Sequence, residues 1–137
     1  MRSVLAFLLL AAGCSLVIGG RTEEYQGPCV DEQEALDLAV LYDGKNVQEI
    51  SADCQESCDG EGCEAECISD HTDGALSVDC AMCLEELNTC LAGKCRELCF
   101  ERENRRDCKT CRCEGDGRAC MAELDSCAGV AISDCSE

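Results

Sequence analysis

Cysteine content constrains this chain more than any other feature: seventeen of its 137 residues are cysteine. Cys14 lies in an apolar opening stretch. The others are Cys29, Cys54, Cys58, Cys63, Cys67, Cys80, Cys83, Cys90, Cys95, Cys99, Cys108, Cys111, Cys113, Cys120, Cys127 and Cys135. That remainder is even, and eight bridges use all of it. Cysteine at this density behind an export signal reads as a disulfide framework formed in an oxidising compartment. The framework also accounts for how a poor core holds together. Beyond the opening stretch the aromatics are Tyr25, Tyr42 and Phe100, with no Trp, so the side chains that bury roughly 150–250 Å² each are nearly absent. A native disulfide contributes about 2–4 kcal/mol, so a few unstrained bridges match the net stability of a small domain.

Residues 1–20 have the layout of an export signal: Arg2, an apolar run from Val4 to Ile18, then Gly19 and Gly20 ahead of the polar Arg21-Thr22-Glu23-Glu24. The run is short and ends in small residues, unlike a stable membrane span, and no later stretch is apolar for long enough to cross a bilayer. Within it, Leu10-Ala11-Ala12-Gly13-Cys14 resembles the lipobox of bacterial lipoproteins, in which the cysteine becomes the acylated first residue. Ala11 stands where Leu is commoner, and Ser15 to Ile18 stay apolar where such proteins turn polar. Cleavage near Gly19 or Gly20, leaving a free extracellular chain, is the expected outcome; lipid anchoring through Cys14 is the alternative. Cys14 takes no part in folding under either.

The length suits one domain. Residues 21–53 read as an acidic N-terminal segment and 54–137 as a cysteine-rich helical-hairpin domain. In the first, Asp31 as cap and Glu34 three residues on predict a helix with Ala35 to Leu41 as its apolar body. The rival is a hairpin, Leu38 to Tyr42 and Lys45 to Ile50, about Asp43-Gly44. In the second, Cys54 and Cys58, and Cys63 and Cys67, are each four residues apart and share a helix face. The intervening Asp59-Gly60-Glu61-Gly62 is a turn, which predicts nested bridges, Cys58 to Cys63 and Cys54 to Cys67. A second hairpin is expected from Val78 to Leu91 and Lys94 to Glu103 about Ala92-Gly93. Cys83, Leu87, Cys90 and Leu91 would line one stripe of its first arm. An internal echo, Cys83 to Cys90 against Cys120 to Cys127 with Ala-Gly following each (83–93 and 120–129), reads as duplication of a hairpin unit. The expected fold is small, disulfide-rich and mainly α: short helical hairpins stapled by disulfides.

Net charge is −18, which argues against nucleic acid as a partner, since phosphate contact depends on positive surface. Acidity is uneven. Residues 21–93 hold 19 acids and 2 bases, residues 94–118 hold 6 acids and 8 bases, so the second stretch either pairs within the fold or docks on acidic surfaces. Arg102-Glu-Asn-Arg105-Arg106 within it has the form of a basic processing site.

Chemistry-bearing motifs are few. Cys108, Cys111 and Cys113 have a spacing that thiolates use for zinc, but no histidine is near and an oxidising compartment favours bridges. Cys80-x-x-Cys83 and Cys108-x-x-Cys111 lack the βαβ setting of a redox motif. The sole histidine, His71, belongs to no recognisable catalytic order, and no cofactor motif is present. Ser69 to Leu76 has the glycine and following apolar residue of a calcium loop, yet Ser occupies the first ligand position and Cys80 stands where a bidentate Glu belongs. The expected function is a secreted, acidic, non-enzymatic structural or protein-interaction module with no metal and no cofactor, its partner an extracellular protein or surface. The alternatives are a toxin-like effector, or a protein that binds calcium or mineral weakly through Asp53 to Asp79.

Overall fold

The computed structural model describes residues 27–101, 105–133 and 135. Residues 1–26, on which the expected export signal and Cys14 fall, lie outside them. The described chain is mainly α, as expected, with helices α1 (Val47–Ser57), α2 (Cys63–His71), α3 (Val78–Lys94), α4 (Arg105–Cys113) and α5 (Arg118–Ala128). Disulfides join one helix to the next.

The N-terminal segment departs from expectation. The helix over Ala35 to Leu41 does not form; a single 3-10 turn, Gln33–Leu36, stands there, and Asp31 does not cap it. Ala35 is its one buried residue, while Leu38 and Leu41 are 50% and 60% exposed. A helix this short is held by burial of an apolar face, and past Leu36 the apolar residues of this one, Leu38 and Leu41, are left uncovered. Asp37 Oδ1 accepts from Ala39 N at 2.9 Å, a local bond that competes with helix. The rival hairpin contracts to one bridge, Tyr42 with Lys45, about Asp43 (φ 50°) and Gly44 (φ 84°). It stops because Asn46 starts a helix. The Asn46 side chain accepts from Glu49 N at 3.0 Å and Glu49 Oε2 accepts from Asn46 N at 2.9 Å, a complete capping box. The helix it opens, α1, runs through the boundary between residues 53 and 54, so the two segments are continuous.

Between α1 and α2 the chain turns at Gly60 (φ 116°) and Gly62 (φ 80°). Cys58 bonds to Cys63 and Cys54 to Cys67, the nested pair that the spacing predicts. Helix α2 carries no cap of its own. Glu85 of α3 supplies one: its carboxylate accepts from Gly62 N at 2.8 Å and Ala65 N at 2.9 Å, placing negative charge where the helix exposes free N–H groups.

The second hairpin is longer than its spacing implied. Helix α3 passes straight through Ala92-Gly93 and ends at Lys94. Leu91 is buried there, and Cys95 N still bonds back to Leu91 O at 2.7 Å, so burial and backbone bonding carry the helix past the glycine. A π-helical turn, Glu97–Glu101, extends this outgoing arm, and α4 and α5 return alongside. Four nested bridges join the arms as rungs: Cys99 to Cys108, Cys95 to Cys111, Cys90 to Cys120 and Cys83 to Cys127. The two echoing segments are therefore each other's antiparallel partners, cross-linked at both ends. Gly117, between α4 and α5, sits so close that a Cβ there would lie 2.7 Å from Cys95 Sγ. Cys29 to Cys80 and Cys113 to Cys135 tie the N-terminal segment and the C-terminal residues to this frame.

The core is correspondingly small-residue and aliphatic. Ile50, Ala65, Ile68, Leu76 and Ala81 pack with Cys29, Cys54 and Cys80. Cys80, Ala81, Cys83 and Leu91 are the buried residues of α3, and Leu87 and Cys90 of the expected stripe are half-buried.

Candidate functional site

Helix α1 packs on α2 and α3, whereas α4 packs on α5 and the π-helical turn. The space between α1 and α4 is left as an open groove made of two adjoining hollows of about 550 and 650 Å³. Its floor is α3, through Leu84, Leu87, Asn88, Leu91 and Ala92. Gln48, Ser51, Ala52 and Gln55 of α1 form one wall. Cys99, Phe100, Cys108 and Arg112 form the other. Leu38 borders the second hollow. Phe100 is 39% exposed at the first. The lips differ in charge: Glu49 and Glu56 on α1 face Arg105, Lys109 and Arg112 on α4. The arrangement can take a partly apolar ligand with charge at its margins.

Beneath the floor lies a buried acid. Glu64 of α2 is 6% exposed. Its Oε1 accepts from Ser51 Oγ at 3.3 Å and from Asn88 Nδ2, which also donates to Ser51 Oγ at 2.7 Å. Burial pushes its carboxyl above the ordinary value of 4.5; the Asn88 and Ser51 bonds oppose the rise, and the Glu85 charge adds to it. A raised folded-state pKa means that the fold holds this proton more tightly than the unfolded chain does. The associated stability is complete below the ordinary value and is lost as pH rises through the folded one. Glu64→Gln is therefore expected to unfold at higher temperature than the parent at pH 7 and at the same temperature below about pH 4. Paired thermal melts across that range check it, and equal gaps at both ends would contradict it.

The sequence-derived candidates distribute differently. Cys108, Cys111 and Cys113 bond to Cys99, Cys95 and Cys135, and Cys80 and Cys83 to Cys29 and Cys127. Neither C-x-x-C pair is bridged internally. His71 is exposed at the end of α2, its ring within 4.8 Å of the Cys54–Cys67 sulfurs. Bridged sulfur carries no thiolate charge and is a poor ligand. In the calcium-like loop, Ser69 Oγ donates to Leu76 O at 2.7 Å and Thr72 Oγ1 donates to Ile68 O at 3.0 Å, bonds that fold the loop back on the end of α2. Arg105 and Arg106 open α4 in helical rather than extended form, while residues 102–104 of the basic motif lie outside the described ones.

Reading the sequence missed the groove. Its residues are individually ordinary, and the one available signal was that Phe100, among so few aromatics, lies beside the basic stretch. No helix among the described residues is long and apolar enough to cross a membrane. No protein-family model matches the chain, and none of the curated proteins or solved structures compared with it does.

Proposed function

We propose that this chain is an exported, non-enzymatic interaction module that binds an extracellular protein through the α1–α4 groove. The observation that carries the reading is the groove itself: an apolar floor flanked by amides and by lips of opposite charge, with the Cys99–Cys108 bridge bracing one wall and the Cys54–Cys67 bridge tying the helix of the other to α2. Preformed walls lower the ordering cost of binding. Eight bridges among sixteen cysteines fit an oxidising compartment.

Photo-crosslinking tests this. A benzophenone side chain placed at Ala52, on the groove wall, is expected to give discrete adducts with extracellular proteins of the producing cells, and excess unlabelled protein should suppress them. The same group at Glu66, on the exposed side of α2, should not. Identical adducts from both positions, or none from Ala52, would sink the proposal.

A further inference from the structure

We propose that the Cys58–Cys63 bridge is a thiol-exchange site, and that the thiol it takes is a cysteine set among basic residues of a partner protein. Five of the eight bridges have at least one cysteine no more than 2% exposed. A thiolate must reach a sulfur to exchange with it, so these bridges stay closed while the fold is intact. In the other three, Cys58–Cys63, Cys99–Cys108 and Cys113–Cys135, both cysteines are half-buried. Their separations are 5, 9 and 22 residues, so opening Cys58–Cys63 returns the least entropy to the unfolded chain and costs the fold least. The turn beside it is also bare: a Cβ built on Gly60 or Gly62 would meet nothing within 4 Å.

Opening this bridge leaves the hairpin standing. Cys54–Cys67, its inner rung, still ties α1 to α2. Glu85 still accepts from Gly62 N and Ala65 N, which pins the first turn of α2 with Cys63 in it. The two sulfurs therefore stay presented at the hairpin tip, and the change is confined to the turn. Charge selects the thiol. Glu56, Asp59, Glu61 and Glu66 neighbour the pair in sequence and are all exposed, and no lysine or arginine occurs between Lys45 and Lys94. A thiolate is itself an anion, so this acidic tip slows its approach unless cations accompany it. The step balances as an exchange. The partner's thiol gives its proton to water and attacks one sulfur, a new S–S bond forms as the Cys58–Cys63 bond breaks, and the electron pair stays on the departing sulfur, which takes up a proton. The partner's sulfur is oxidised and the departing one reduced. Neither cysteine lines the α1–α4 groove, so the two sites stand or fall separately.

The test uses the full oxidised protein and a pair of synthetic peptides with a single cysteine, flanked by lysines in one and by glutamates in the other. After brief exposure at low ionic strength, acid quenching and peptide mapping by mass spectrometry locate the mixed disulfide. The first adduct is expected at Cys58 or Cys63, with the other bridges closed and the helical circular dichroism unchanged. Per thiolate, the lysine peptide should react at least about tenfold faster than the glutamate peptide, and the ratio should shrink toward unity at about 1 M salt. Asp59→Asn/Glu61→Gln should slow the lysine peptide by about threefold and leave the helical signal as it was. Cys58→Ala/Cys63→Ala should remove the early adduct. A first adduct on another bridge, no adduct on the folded protein, or equal rates for the two peptides at low salt overturns the proposal. So does an unchanged rate in Asp59→Asn/Glu61→Gln, because the acidic tip then selects nothing.

Discussion

Reduction of all the bridges is expected to abolish the cooperative unfolding transition and most of the helical circular dichroism at 25 °C, under conditions where the oxidised protein melts as one unit. The reason lies in what remains when the sulfurs separate. The helices have 9 to 17 residues, and isolated helices shorter than about 12–15 residues are marginal in water. The core that would hold them is built from alanine, isoleucine, leucine and the cysteines themselves, with Phe100 39% exposed. Each bridge contributes about 2–4 kcal/mol by restricting the unfolded chain, while a domain's whole net stability is about 5–15 kcal/mol. Their joint loss exceeds that margin. Acidic repulsion within a chain of net charge −18 adds to the collapse once nothing covalent opposes it. Calorimetry and circular dichroism with and without reductant check this. A reduced chain that keeps a sharp transition would show that packing, and not cross-linking, holds the fold.

Removing a single bridge should have effects ordered by the loop each one closes. Cys29–Cys80 closes the longest, with a separation of 51 residues, and both of its cysteines are fully buried. The double variant Cys29→Ala/Cys80→Ala is expected to lose about 4 kcal/mol from loop entropy alone. Cys58→Ala/Cys63→Ala, with a separation of 5 residues, is expected to lose about 2 kcal/mol. The first loss also has a location. Cys29 is the sole cysteine between residues 21 and 53. Around it, Cys29 N donates to Ala128 O at 3.1 Å and Ser77 N to Glu32 Oε2 at 2.9 Å. Without the bridge, those two bonds and the packing of Val30, Ala35 and Leu36 must hold the N-terminal segment on the core. Hydrogen exchange should therefore quicken at Cys29-adjacent amides and at Ser77 more than along α4. Denaturant titration of the two double variants settles the order, and an equal or larger loss for the short-loop variant would refute it.

How much of this was legible in the residues depends on distance along the chain. The nested bridges of the α1–α2 hairpin could be read from spacing, because four-residue intervals put both cysteines of each helix on one face and the glycine-rich turn brings those faces together. The helical class and the disulfide framework followed from the same local facts. Tertiary structure decided where the second hairpin turns. Ala92-Gly93 carries a good local stop signal, but burial of Leu91 outweighs it, and the chain reverses only beyond Glu101. Tertiary structure also withdrew the helix expected over Ala35 to Leu41, since Leu38 and Leu41 found no surface to cover them. The candidate groove lay wholly on this side of the divide. It exists because α1 and α4, nearly fifty residues apart in sequence, flank the same face of α3 and leave a groove between them. Side-chain chemistry and short-range geometry are written in the order of residues. Which helix faces meet, and which gap they leave, is set only when the long loops close.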